Sequence, residues 1–201
     1  MVDIVWLSRH GHRMDMEDVE AVARSSHPLD PSLSPTGVLQ AEALGRRLVG
    51  EGIQKIFSSP FLRCLETAHG VALSLGLPIQ IENGLGEFLS PKWFPNMPEL
   101  RTNDYIDSRM QVDRSYQSVG HSEFPEDFQE MNQRVASTIN EIVQQHSGQI
   151  LVIGHGASVA SAIQALTDVA PQGCELCHLS KVERTEEGWS LEMDGDGSHL
   201  T

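Results

Sequence analysis

The sequence predicts an α/β fold: a single three-layer domain with a largely parallel central sheet and helices on both faces. Three observations predict it. Short apolar runs alternate with segments of helical period, the pattern of strands joined by crossover helices. The 201 residues suffice for one sizeable core and not comfortably for two. Two apolar runs end alike, at Arg9-His10-Gly11 and at Gly154-His155-Gly156, and parallel sheets bind their ligands beyond the carboxyl ends of the strands.

The elements follow in order. Residues 3–8 are apolar, rich in β-formers, and read as a buried strand. Ser34-Pro35 then supplies a cap and a proline at the first helical position. Val38, Ala41, Gly45 and Leu48 recur at helical spacing, and Gly52 is the stop. Residues 53–57 form the next strand. Ser59-Pro60 opens a second helix with Leu65, Ala68, Ala72 and Leu75 on one face and Gly76 near its end. Residues 79–81 are a third strand. Residues 126–146 are helical, with Phe128, Met131, Val135, Ile139 and Ile142 on one stripe. Residues 150–153 are a strand and 157–166 a helix. Residues 176–184 and 189–193 are strands about a Glu186-Glu187-Gly188 turn. Residues 90–124 are irregular and broken by prolines, and such long excursions usually carry function. The domain is expected to span residues 1–193, with 194–201 as a flexible, solvated tail.

Composition excludes several classes. With 14 Lys+Arg against 28 Asp+Glu the formal net charge is -14. So acidic a surface repels nucleic-acid backbones and anionic lipid, so neither nucleic acid nor membrane is an expected partner. No apolar segment reaches the roughly 20 residues that span a bilayer. The run at residues 2–7 is too short for a signal peptide, and the expectation is a cytoplasmic protein. Three cysteines, an odd number, argue against a disulfide framework.

A single histidine is more often structural than catalytic. His10, however, lies between Arg9 and Gly11 just past a buried strand, where glycine lets the chain turn and a ligand approach. One ring nitrogen could meet an incoming phosphorus if a carbonyl fixed the other. Arg63 falls in the first turn of the helix after Ser59-Pro60, on the ligand side. Guanidinium forks match phosphate oxygens, and helix N-termini add positive potential. His155 repeats the strand-His-Gly arrangement; protonated, it would stabilise charge on a transferring phosphoryl group. Glu87 carries almost no signal alone.

Taken together, these motifs resemble the histidine phosphatase superfamily, also called phosphoglycerate mutase-like. Arg9-His10-Gly11 is similar to its RHG signature. The run Ser58-Ser59-Pro60-Phe61-Leu62-Arg63-Cys64-Leu65-Glu66-Thr67-Ala68 is similar to its SSPxxRCxxTA helix start. Residues 84–88 resemble the acid-bearing segment, and Gly154-His155-Gly156 resembles the second histidine motif. The likeness is greatest to the branch of suppressor-of-T-cell-receptor-signalling and ecdysteroid-phosphate phosphatase domains, through Arg9-His10-Gly11-His12-Arg13-Met14-Asp15, Leu62-Arg63-Cys64 and Glu87-Phe88.

The resemblance implies His10 as nucleophile and Glu87 as proton donor. It implies Arg9, Arg13, Arg63 and His155 as the phosphate pocket, with His155 counted among the catalytic residues. It further implies hydrolysis of a small-molecule phosphomonoester through a phosphohistidine, with no metal or other cofactor. Two alternatives stand beside it, a phosphomutase and a weakly catalytic phospholigand-binding module. Phosphoglycerate mutases carry a serine where Arg13 stands and an asparagine where Met16 stands, which counts against the first.

Two further expectations are open to test by structure. Trp93, Phe94, Tyr105 and Tyr116 could contact the rest of a substrate, and Lys92, Arg101, Arg109 and Arg114 could meet a second anionic group on it. Cys174-Glu175-Leu176-Cys177-His178 is formally a haem-attachment pattern, though it leads directly into an expected strand.

Overall fold

The computed structural model describes all 201 residues. Its sheet has six strands: β1 (Val2–Arg9), β2 (Ile53–Ser58), β3 (Ile79–Ile81), β4 (Gly148–Gly154), β5 (Leu179–Thr185) and β6 (Gly188–Asp196). Their order is β3-β2-β4-β1-β5-β6. The first four strands run parallel, while β5 and β6 are antiparallel to their neighbours. The helices are α1 (Val19–Ala23), α2 (Pro35–Leu48), α3 (Leu62–Leu75), α4 (Asn103–Asp107), α5 (Phe128–Gln145) and α6 (Gly156–Thr167).

Alternation along β1 builds both cores. Val5 and Leu7 face α5 and α6, where Met131, Val135, Ile139 and Ile163 meet them. Trp6 points the other way, into the core of α2 and α3 with Leu44, Leu48, Leu65 and Ala68. The expected strands and long helices are therefore present, in three layers. Their punctuation is also legible. The Ser34 hydroxyl accepts the Gly37 N–H at the start of α2. Gly76 ends α3 with φ 68°, a left-handed conformation that favours glycine. Asp127 and Glu130 cap α5 reciprocally.

Four expectations need correction. Val38 is 45% exposed, because the buried stripe of α2 runs through Gly37, Ala41, Leu44, Gly45 and Leu48, one position round the helix. Phe128 is 59% exposed; at the first position of α5 it packs edge-on against Phe88 rather than into the core. Residues 194–201 are not a loose tail. Strand β6 continues to Asp196, opposite Leu179, and a closing turn at Ser198–Leu200 sets Leu200 against the α2–α3 core. There the His199 Nε2–H donates to the Cys177 carbonyl at 3.0 Å. The irregular stretch also contains helix α4, only five residues long and too short for periodicity to reveal.

Candidate active site

The sheet register brings the two histidine motifs together. Arg9 stands opposite Gly154 on the adjacent parallel strands β1 and β4. The next residues, His10 and His155, leave the sheet side by side, their rings 5.4 Å apart. The His10 N–H donates to the Gly154 carbonyl at 2.9 Å, which fixes the pair at the backbone. Helix α6 starts immediately after His155, and α3 starts four residues beyond the end of β2. Two helix N-termini thus face the same spot and add positive potential.

His10 is 1% exposed. Its Nδ1 lies 2.8 Å from the Gly11 carbonyl, and a carbonyl can only accept, so Nδ1 carries the hydrogen. Nε2 is therefore the lone-pair nitrogen, and it is buried without a partner. Burial, then Arg63 and His155, hold the His10 pKa well below the ordinary value. The loop that carries it is tightly held. The Gly11 N–H donates to the Thr67 hydroxyl at 3.0 Å, and that hydroxyl donates to the Arg63 carbonyl at 2.7 Å. A β-carbon at Gly37 would lie 2.1 Å from the His12 carbonyl oxygen, so only glycine lets α2 sit this close to the loop.

Arg63, 2% exposed, reaches inward from the first turn of α3. Its Nη2 donates to the Glu87 carboxylate at 3.0 Å and approaches His155 Nδ1 at 3.1 Å. His155 Nδ1 is also 3.2 Å from Glu87, and its Nε2 lies 2.8 Å from the Ser59 hydroxyl. Burial pushes the His155 pKa down to about 4, with Glu87 opposing. The protonated His155 expected from sequence is thus a form that an approaching anion would have to induce. Burial alone would raise the Glu87 carboxyl, but His155, Arg63 and His10 outweigh it and hold it well below the usual range.

Arg9 and Arg13 complete a set of three guanidiniums lining one cavity of about 410 Å³ with Arg63 and Glu87. Arg9 Nη1 donates to the Cys174 carbonyl at 3.2 Å. Arg13 is aimed by a bidentate pair with Asp15, both contacts 2.9 Å. Four of the six expected residues thus line this cavity, while His10 and His155 are buried and do not line it: His155 contacts Arg63 and Glu87, and the His10 ring lies against that of His155. His10, Glu87 and His155 also offer ligand atoms within 4.8 Å of one another. Arg63 contacts two of the three, so a cation there would meet a guanidinium at hydrogen-bond distance, whereas an oxyanion would be welcomed.

The surroundings depart from expectation. The cavity wall comes from Pro28, Leu29 and Pro31 as well as from Trp93 and Phe94. Tyr105 and Tyr116 are elsewhere; the Tyr116 hydroxyl donates to Glu82. Nor do the four cations form a second anion site on the cavity. Arg114 pairs with Asp107, Arg109 stacks on Tyr105, Arg101 meets His27, and Lys92 lines a neighbouring cleft. Cys174 and Cys177 hold hydrogens firmly, burial pushing their thiols up to about 11 and about 12. Their loop serves the site through its backbone, with the Cys177 N–H donating to the Arg9 carbonyl at 3.1 Å.

Sequence reading missed the supports. Ser59 does not cap α3 but bonds His155. The Glu82 carboxylate, wholly buried, accepts the N–H groups of Gly84, Val119 and Gly120 and two hydroxyls. Arg134 donates to the carbonyls of Gly84, Gly86 and Glu87. Together they fix the segment that presents Glu87.

The sequence pattern of the histidine phosphatase superfamily (branch 1) matches residues 5–196. The chain belongs to this superfamily. Among its relatives in the superfamily is the ecdysteroid-phosphate phosphatase of Drosophila melanogaster, 28% identical over 188 residues, a match covering 81% of this chain and 24% of that protein. The chain spans about a quarter of the length of the first curated relatives it matches. The fold is similar to that of the ecdysone phosphate phosphatase from Bombix mori in complex with tungstate. That match has a TM-score of 0.77 at 22% identity and covers 94% of this chain and 91% of that one. It is also similar to phosphoserine phosphatase from Entamoeba histolytica in complex with 3-phosphoglyceric acid. There the TM-score is 0.68 at 18% identity, over 98% and 99% of the two chains. Relatives in this superfamily include phosphatases and phosphomutases.

Proposed function

We propose that this chain is a phosphomonoester hydrolase that needs no metal and passes the phosphoryl group through His10. The observation that carries the reading is the state of His10: its hydrogen is committed to the Gly11 carbonyl while Nε2 has no partner, and Arg63, Glu87 and His155 are its charged neighbours. Nε2 attacks phosphorus in line, and the bond to the leaving oxygen breaks as that oxygen takes a proton from Glu87. Water, giving a proton to Glu87, then cleaves the phosphohistidine. The chemistry is chiefly positioning and charge stabilisation, which Arg9, Arg13, Arg63 and a protonated His155 supply. Glu87 starts ionised. Phosphate oxygens set beside it oppose its charge and raise its pKa, so on substrate binding Glu87 takes up a proton from solvent or from the substrate monoanion, and that proton goes to the leaving oxygen.

The direct test is hydrolysis of p-nitrophenyl phosphate after dialysis against EDTA. Full activity, with inhibition by vanadate, is expected; activity lost to EDTA and restored by magnesium would refute the reading.

The pH profile follows from the same groups. A histidine held below its ordinary 6.5 stays neutral as the solution becomes acidic, while protonated Glu87 becomes more abundant. Turnover at about pH 5 should therefore match or exceed that at about pH 8. A loss of kcat/KM centred at 6.5 on the acid side would mean that His10 titrates like a solvated imidazole.

A further inference from the structure

Asp30 takes no part in the chemistry above, yet it is wholly buried beside the principal cation. Its Oδ1 accepts the Leu62 N–H at 2.8 Å and lies 3.9 Å from Arg63 Nη1. Phe61, the residue before α3, gives that helix no side-chain cap, so Asp30 supplies one from outside. Its Oδ2 has no hydrogen-bond partner; burial raises the Asp30 carboxyl above its ordinary value, and the Leu62 N–H, Arg63, Arg101 and His27 oppose that rise by favouring the ionised form. The same loop walls the cavity through Pro28, Leu29 and Pro31, and is held again where the Leu33 N–H donates to Glu66 at 2.6 Å.

Arg63 thus stands between two carboxylates, Glu87 at 3.0 Å and Asp30 at 3.9 Å. In the reaction proposed above only Glu87 exchanges a proton. We infer that Asp30 is a positioning residue: it fixes the start of α3 and sets a second carboxylate beside Arg63, which leaves Glu87 able to take up its proton. The inference rests on the proposed roles of Arg63 and Glu87. The groups facing Asp30 are Arg63, Arg101, His27 and Glu66, and those facing Glu87 are His155, Arg63 and His10. Without the charge of Asp30, Arg63 acts on Glu87 undiluted and holds it ionised more firmly.

Asp30→Asn tests this, because it keeps an oxygen for the Leu62 N–H and removes only the charge. An alkyl phosphate needs its leaving oxygen protonated, whereas p-nitrophenolate barely does. The variant should lose about tenfold or more in kcat on the alkyl ester and less than about threefold on p-nitrophenyl phosphate. It should bind vanadate at least as tightly as wild type and melt at nearly the same temperature. Asp30→Ala, which also loses the cap, should melt lower. Equal loss on both esters, loss of vanadate affinity in step with the melting temperature, or failure of Asp30→Asn to fold would make Asp30 merely structural and overturn the inference. Unchanged turnover of the alkyl ester would overturn it too. Inactive wild-type protein would instead refute the reading of the site, which separates the two.

Discussion

Replacing Arg63 with alanine should lower kcat/KM for any phosphomonoester by about 10³–10⁵-fold, the range over which a guanidinium stabilises a transferring phosphoryl group. The effect should exceed that of any other arginine here. Arg63 touches Glu87 and His155 at once, so in the proposed reaction its loss takes away a phosphate ligand and leaves Glu87 and His155 without the group that holds them. Stability should suffer as well. Asp30 and Glu87 would be left as buried carboxylates without their cation, a situation that costs about 3–5 kcal/mol. Arg63→Lys discriminates the contributions: the charge is kept, the fork is lost, and stability should return further than activity. Steady-state kinetics beside thermal unfolding of the two variants check this. An Arg63→Ala enzyme within about tenfold of wild type would remove Arg63 from the phosphate site.

His10→Ala should be inactive, with kcat lower by at least about 10⁴-fold, as when a nucleophile is removed from a cooperating set. Folding should survive, since the loop is held independently of the imidazole by the Gly11 N–H on the Thr67 hydroxyl and the His10 N–H on the Gly154 carbonyl. Oxyanion binding should survive too, because Arg9, Arg13, Arg63 and both helix N-termini remain. The expected signature is therefore a stable protein that still binds vanadate weakly and turns nothing over. Substantial residual hydrolysis would favour direct attack by water.

What was legible in the sequence and what was not divide along a physical line. His10 and His155 were legible because each follows an apolar strand and precedes glycine, and strand ends are where parallel sheets place ligands. Arg63 was legible because a Ser-Pro pair marked the approach to its helix. The supports were not. Asp30 caps a helix 32 residues away, and Arg134 braces a carbonyl 50 residues away; nothing local distinguishes them from solvated charges. The cations of residues 92–114 misled for the converse reason. In sequence they are unpaired, but Asp107, Tyr105 and His27 take up three of them in the fold. The terminal residues read as a tail because glycine, aspartate and serine dominate them, yet strand pairing and Leu200 dock them.

The phosphohistidine is the central claim, and trapping it is its most direct measurement. Wild-type protein mixed with labelled substrate, quenched in alkali and digested should yield one phosphorylated peptide, the one containing His10, with a label stable to base and lost in acid. The His10→Ala protein should yield none. Label on a serine or cysteine, or label that persists in His10→Ala, would contradict the account.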